Sequence, residues 1–303
     1  MKKCEQQIKP SRKPPLLRVC FFVFLLALLS SNGLLATTSQ MLVTTAAAPG
    51  AYDTTVSNSS VETFNGLVGS GNLLTNSLSW AGVGTFTGVN GNNLEISAET
   101  EYGGAPSPSN SAVDTDYLDV FSNTTTKLTL NSPASYFGMW WSAGDSANTL
   151  TFYSGGTNGT VVATFTAADL SLLSTNYNGN PTTQFNGQDS SEKFTYLNFY
   201  AQLGTSFDTI VASEPGSSAG FESDNWTIRD AAYGLGAGDG TTDPGTPLVQ
   251  YYVTNGVQTV STNNFDTAAD TVAVPEPSQV SSSILLLMGI SGFLFYRKRA
   301  GVF

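Results

Sequence analysis

Short stretches in which apolar and polar residues alternate run through the middle of the chain and constrain its fold more than any other feature. Successive side chains of a strand point to opposite faces, so "TVVATFT" (residues 160–166) places Val161, Ala163 and Phe165 on one face. Turn sequences such as "GGTNGT", "NGNP" and "EPGSS" separate these stretches, and helical periodicity is nearly absent. Many short strands joined by Gly, Asn and Pro turns predict an all-β fold, an antiparallel β-sandwich or jelly roll, over residues 52–232.

A linker and a predicted hairpin follow this domain, within residues 233–273. The linker is rich in Gly, Pro and Asp, and two β-prone runs then flank Asn255-Gly256, a dipeptide that strongly favours a two-residue hairpin turn. The hairpin is predicted over residues 248–262. Because an isolated hairpin is marginally stable in water, we expect it to pack on the sandwich or to extend one of its edges. The residues between the hairpin and position 274 are interpreted as a spacer.

The charged residues are unevenly distributed along the chain. Nine of the twelve Lys and Arg residues lie before residue 20 or after residue 296, whereas all 23 acidic residues except Glu5 and Glu276 lie between residues 40 and 273. That middle section therefore has 21 acids, three cations and a net charge of −18. Such a surface repels phosphate backbones, which excludes nucleic acid as a partner, and it attracts divalent cations.

The chain contains no histidine, and its two cysteines, Cys4 and Cys20, both lie within the first twenty residues. The middle of the chain therefore has no thiol, disulfide or imidazole. This composition excludes cysteine nucleophiles, Ser-His-Asp triads and the usual zinc sites.

Residues 1–48 are predicted to be a signal peptide and leader, with a signal helix. A basic segment precedes an apolar run at residues 19–29, which is too short to span a bilayer comfortably and has the length of a signal-peptide core. Small residues offer signal peptidase three cleavage points, after Gly33, Ala36 or Ala47. This interpretation predicts export through the Sec machinery, and an uncleaved N-terminal anchor is the alternative.

The C-terminus combines three features in order. Two prolines keep the first feature extended and accessible, an apolar segment at residues 280–296 follows as a single candidate transmembrane helix, and a basic cluster comes after it. The first feature is the motif Val274, Pro275, Glu276, Pro277 and Ser278. The basic cluster consists of Arg297, Lys298 and Arg299. This arrangement over residues 274–303 resembles the PEP-CTERM sorting signal of exosortase substrates in Gram-negative bacteria.

The resemblance implies that a membrane exosortase recognises Glu276 with its flanking prolines and cleaves the tail. Glu276 is then a recognised residue of the substrate and is not catalytic. Before processing, the C-terminal helix would hold the protein in the inner membrane. Afterwards the body would be released or re-anchored at the cell surface or in the extracellular matrix. A simple tail anchor is the alternative.

The body carries a second resemblance. "SYFGMWWSAGDSANTLTFYSGG" at residues 135–156 and "GFESDNWTI" at residues 220–228 are similar to segments of an ectodomain that recurs among exosortase-sorted surface proteins. This chain differs in that it continues through residues 233–273, with the predicted hairpin, before the sorting signal. The resemblance implies a fold and a location more than an activity.

Trp140 and Trp141 are candidates for stacking on carbohydrate. Adjacent residues of a strand face opposite sides, so one indole would enter the core and the other could offer a flat face to a sugar ring. The alternative is that a loop or the hairpin covers the second indole.

Acidic residues in two places predict a structural calcium site. Alternation puts Glu222 and Asp224 on the same side of a strand, where a repulsive pair favours a bound cation. Calcium takes six to eight oxygen ligands, which carboxylates, an amide and backbone carbonyls supply. The predicted site consists of Glu62, Glu222, Asp224 and Asn225. A rival cluster consists of Asp114, Asp116 and Asp119, and solvated loop acids are the alternative for both.

Three functions follow from these features. The leading hypothesis is a non-enzymatic, exported surface protein that is processed through its tail and associates with extracellular polysaccharide. The second is a calcium-stabilised carbohydrate-binding module. The third is a carboxylate-based glycan hydrolase, for which acids are plentiful and no motif is recognisable.

Overall fold

The computed structural model describes residues 38–46, 48–53, 56–90, 94–98, 102–106, 115–182, 184–202, 204–216, 219–231 and 245–263. Within these ranges, 15 strands form one antiparallel sheet. They are β1 (Thr38–Thr45), β2 (Ser60–Glu62), β3 (Asn72–Thr75), β4 (Ser77–Trp80), β5 (Gly84–Gly88), β6 (Leu94–Ser97), β7 (Tyr117–Asp119), β8 (Thr124–Ser142), β9 (Thr149–Ser154), β10 (Thr160–Thr166), β11 (Thr195–Gln202), β12 (Phe207–Glu214), β13 (Glu222–Asp230), β14 (Thr246–Thr254) and β15 (Val257–Ser261). Two short 3₁₀ turns, Ala167–Leu172 and Thr175–Tyr177, follow β10. The prediction of an all-β fold is confirmed.

The longest strand, β8, belongs to two halves of the sheet. Its first part pairs with β5 and β12, and its last part pairs with β11 and β13. Residues 131–133 between the two parts are exposed, and Pro133 lacks the N–H that a continuous ladder would require. The strand leaves one half and enters the other at this interruption, so a single segment of chain ties the two halves together.

The two halves of the sheet face each other across the main hydrophobic core. The Trp226 ring of β13 lies 5.2 Å from the Phe86 ring of β5 and 4.9 Å from the Phe137 ring of β8, between ring centroids. Phe152 of β9 and Phe199 of β11 lie 5.0 Å apart. All five rings are completely buried, and each contributes about 2–3 kcal/mol by leaving water. This two-layered aromatic packing gives the fold its sandwich-like character.

The second half of the sheet is buried on its outer face as well. Every residue from 134 to 142 of β8 is buried. Phe137 and Trp141 enter the main core, whereas Tyr136 and Trp140 point to the opposite side. The outer cluster around Trp140 consists of Ala105, Ala143, Phe194 and Tyr196, with Ala46, Tyr52 and Tyr102 packed against it. A strand enclosed on both faces needs apolar residues in succession, which explains the unbroken "YFGMWW" run.

The predicted hairpin is present, and it joins the sheet through β1. Strands β14 and β15 meet at Asn255 and Gly256, whose φ angles of 54° and 78° are the left-handed values that a two-residue hairpin turn requires. Strand β14 pairs with β1, and β1 pairs on its other side with β11. The hairpin therefore extends the sheet.

The body of the protein begins earlier than the sequence predicts. Strand β1 falls inside residues 1–48, the range predicted to be signal peptide and leader, yet Met41 and Val43 are completely buried in the main core. The boundary at residue 48 is therefore wrong. Cleavage after Ala47 would remove a strand that is paired along both edges, whereas cleavage after Gly33 or Ala36 would leave it intact.

No helix in the described ranges is long and apolar enough to cross a membrane. The predicted signal helix, the candidate transmembrane helix at residues 280–296 and the whole sorting motif lie outside the described residues. They stay predictions.

Candidate functional site

Both tryptophans of the predicted stacking site are buried. Trp140 and Trp141 have 0% of their surface exposed. They face opposite sides of β8, with Trp141 in the main core and Trp140 in the outer cluster, where Tyr102 and Ala105 cover the sheet. The stacking prediction is therefore wrong. Neither indole presents a face to a sugar ring, because a second packed layer occupies the outer side of the sheet.

Asp224 on β13 is buried and anchors that covering layer. Its Oδ2 accepts hydrogen bonds from Ala105 N, at 3.0 Å, and from the Thr115 hydroxyl, and its Oδ1 accepts one from Asn225 N, at 2.5 Å. Burial raises the pKa of this carboxyl from 3.8 to about 7, although the three hydrogen bonds act in the opposite direction. With three donors already bound, Asp224 acts as a structural anchor and not as an open metal ligand.

The four residues of the predicted calcium site do not converge. The Asn225 backbone has a φ of 50°, and its side-chain Nδ2 donates a hydrogen bond to Tyr52 O, at 2.8 Å. Glu62 on β2 lies in register with Trp226, four positions along β13 from Glu222, which is about 13 Å at ~3.3 Å per residue. A calcium site made of all four residues is therefore not formed in the described structure.

The rival acidic cluster is divided as well. Asp116 is buried, and its Oδ2 accepts a hydrogen bond from Val68 N at 3.0 Å. Asp114 lies outside the described residues. Asp119, at the end of β7, lies in register with Glu222, at the start of β13. The structure thus brings together one member of each predicted group, a pairing that local alternation does not reveal.

Asp119 and Glu222 form a carboxylate pair beside Gly220. A Cβ added to Gly220 would lie 2.5 Å from Glu222 Oε1 and 3.0 Å from Asp119 Oδ1, so both oxygens border space that the glycine leaves open. Glu222 Oε2 is buried and accepts no hydrogen bond from the described residues. Burial, and then the charge of Asp119, raise the pKa of Glu222 well above its usual value. Such a pair can share a proton or bind a cation.

Further acids add negative potential around this pair. Glu95 on β6 is also in register with Asp119, and after burial and the charge of Asp119, the charges of Asp145 and Glu192 also raise the pKa of Glu222. The Lys193 ammonium donates hydrogen bonds to two backbone carbonyls, Leu173 O at 3.0 Å and Ser174 O at 2.9 Å. Across the described part of the chain, no three acidic, Cys or His side chains are close enough to hold a metal ion together. The Asp119–Glu222 pair has two acids and not three, and it is the candidate cation site because both carboxylates border the space beside Gly220.

A cavity of about 190 Å³ lies beside the loop that follows the second 3₁₀ turn. Amide, aromatic, glycine and proline residues line it, and none of them is charged. Its polar and aromatic lining consists of Asn176, Tyr177, Asn178, Asn180, Asn186 and Phe194. Sequence reasoning missed this site because it interpreted "NGNP" only as a turn. The signal that points to it is the density of asparagines, four within residues 176–186.

No protein-family model, curated protein or solved structure matches this chain. The fold and the candidate sites define an all-β, sandwich-like protein with an uncharged cavity and a separate pair of acids on β7 and β13. The function proposed below rests on these features and on the segments that flank the body.

Proposed function

We propose that this protein is an exported, non-enzymatic cell-surface protein that is processed through its C-terminal tail. Its signal peptide directs it to the Sec machinery and to signal peptidase. The tail holds it in the inner membrane of a Gram-negative cell until an exosortase recognises Glu276 and cleaves. The body then remains at the cell surface or in the extracellular matrix, where it associates with polysaccharide.

The order of segments in the chain is the observation that carries this proposal. The last described strand, β15, ends at Ser261, and the proline-flanked Glu276, the apolar segment at residues 280–296 and the basic cluster all follow it. The body has no thiol and no imidazole, and its four tryptophans are enclosed in packed layers. This supports a structural or binding role over catalysis. A jelly-roll strand order is the finer form that we infer for the sandwich-like fold.

Mass spectrometry of the mature protein tests the tail processing. The wild type, Glu276→Ala and a matched control, Asp270→Ala in the spacer, are produced in a host that has an exosortase. We expect the wild type and Asp270→Ala to lose the tail and Glu276→Ala to retain it. Full-mass protein from all three would refute processing, and tail loss in all three would show that Glu276 is not the recognised residue.

The second candidate function, a calcium-stabilised carbohydrate-binding module, is favoured by the Asp119–Glu222 pair. Calcium binds carboxylate oxygens at about 2.3–2.6 Å, and two such oxygens border the open space beside Gly220. A cation there would offset the repulsion between the two charges and hold β7 against β13. Its role would be structural.

A glycan hydrolase is the third and least supported alternative. Glu222, with its raised pKa, and Asp119 have the chemistry of an acid and a base. Neither of them lines the cavity at residues 176–194. Release of product from a polysaccharide, abolished by Glu222→Gln, would establish this function.

A further inference from the structure

We propose that the cavity beside residues 176–186 binds one neutral saccharide unit of an extracellular polysaccharide. The inference rests on the proposed association with polysaccharide and assigns that contact to one place on the body. Four observations support it: the uncharged lining, the fixed aromatic wall, the amides that face the cavity, and its size.

The lining selects against charged ligands. No charged side chain borders the cavity, so nothing there neutralises a carboxylate, sulfate or phosphate. The middle of the chain also carries a net charge of −18, which repels anions before they arrive. Amide side chains donate and accept hydrogen bonds at the same time, as the hydroxyl groups of a neutral sugar require.

One wall of the cavity is aromatic and held in place. The Tyr177 hydroxyl donates a hydrogen bond to Ala46 O, at 3.1 Å, and its carbonyl accepts one from Phe194 N, at 2.9 Å. Phe194 is almost completely buried in the outer cluster and supports the wall from behind. A Tyr ring fixed at its hydroxyl and at its backbone offers an apolar surface to the C–H groups of a sugar at little cost in conformational entropy.

Two of the asparagines are closed to a ligand, and two are open to it. Asn180 is committed, because its Nδ2 donates to Tyr102 O, at 3.1 Å, and its Oδ1 accepts from Thr182 N, at 2.9 Å. Asn178 Oδ1 is buried and accepts no hydrogen bond from any described residue. Because this oxygen is closed to solvent, Asn178 is not one of the amides open to a ligand. Asn176 and Asn186 are exposed and line the same cavity.

The loop is preformed, and its size suits a single sugar ring. Gly179 and Gly187 both have left-handed backbones, with φ of 82° and 80°, and a Cβ on Gly179 would lie 3.5 Å from Gly187 Cα. The two turns therefore pack closely, and Gly187 N donates to Asn180 O at 2.9 Å. A volume of about 190 Å³ is smaller than the roughly 300–1,000 Å³ of drug-sized pockets. The cavity accordingly takes one residue of a glycan.

The test measures binding of the full-length purified chain to neutral hexasaccharides of glucose and of mannose, and to an oligogalacturonate, by isothermal titration calorimetry. The double variant Asn176→Ala/Asn186→Ala removes two exposed amides. The matched control, Asn158→Ala, removes an exposed amide in the turn between β9 and β10. We expect a neutral hexasaccharide to bind the wild type, the double variant to lose about tenfold in affinity, and the control to stay within about twofold.

Each outcome decides a separate claim. Unchanged binding by the double variant overturns the assignment to this cavity and leaves the polysaccharide association standing. Preference of the wild type for oligogalacturonate overturns the neutral class of ligand. Failure of the wild type to bind any glycan removes the proposed association itself. Equal melting temperatures of the three proteins show that the substitutions act on the site and not on the fold.

Discussion

Asp224 makes the stability of this protein depend on pH, and Asp224→Asn isolates that dependence. The carboxyl has a pKa near 3.8 in the unfolded chain and of about 7 in the folded protein. Below pH 3.8 both states are protonated. Between the two values the unfolded state releases its proton while the folded state keeps it, so stability falls as pH rises. The loss is complete above pH 7 and amounts to about 4 kcal/mol, at about 1.36 kcal/mol per pKa unit.

Asp224→Asn removes the titrating carboxyl, and it also removes one hydrogen bond. Asparagine has one acceptor oxygen in place of two, and with that oxygen at the Oδ2 position it keeps the bonds from Ala105 and Thr115 and loses the one from Asn225 N. That loss costs about 1–2 kcal/mol at every pH. Asp224→Asn should therefore be less stable than the wild type by about 1–2 kcal/mol at pH 4, and more stable by about 2–3 kcal/mol at pH 8.

Urea unfolding of both proteins between pH 4 and pH 8 provides the measurement. The other acids with raised pKa values, Glu222 and Glu192 among them, titrate in both chains and cancel in the difference. Asp208→Asn is the control, and its stability difference from the wild type should hardly change between pH 4 and pH 8, because a pKa lowered from 3.8 titrates below that range. Although burial acts against it, hydrogen bonds from the N–H groups of Gly156 and Gly155 lower the pKa of Asp208. A stability difference between wild type and Asp224→Asn that does not change with pH would refute the reasoning.

Two further predictions concern the candidate cation site and the core. Calcium should raise the melting temperature of the wild type at pH 8 relative to chelator, and should not do so in Glu222→Gln. Glu62 belongs to the predicted four-residue site that the structure does not bring together, so Glu62→Gln serves as the control. Equal melting temperatures of the wild type with calcium and with chelator would rule out the ion. Phe137→Ala removes a ring that contacts three other rings and should cost about 3–5 kcal/mol in urea unfolding. Phe121→Ala, at a side chain that is 50% exposed, should change stability by less than about 0.5 kcal/mol, and equal costs at the two positions would contradict the packing.

The fold class was predictable because alternation is a local signal. A period of two residues requires no knowledge of the rest of the chain, and it also predicted that Trp140 and Trp141 face opposite sides of β8. What covers Trp140 was not predictable, since Tyr102 and Ala105 reach it from another part of the chain. Strand β1 was missed for a related reason. Its Met41 and Val43 follow an apolar leader that masks their alternation in the sequence.

The candidate site shows the same division between local and distant information. Alternation placed Glu222 and Asp224 on one side of β13, where they lie in register with successive alternate residues of β8. It did not show that Asp224 is occupied by donors from Ala105 and Thr115. Nor did it show that Asp119 is the neighbour of Glu222, because the register between β7 and β13 depends on how distant segments assemble.

The position of β1 between β11 and β14 governs the order of events during synthesis. The ribosome makes β1 first, but its two partners begin only at Thr195 and Thr246. Contacts so far apart in sequence slow folding, and an unpaired strand exposes amide and carbonyl groups to other chains. The growing polypeptide must therefore be kept from pairing wrongly until Thr246–Thr254 arrives. Pairing of β14 with β1 thus reports that every described strand of the body except β15 has been made.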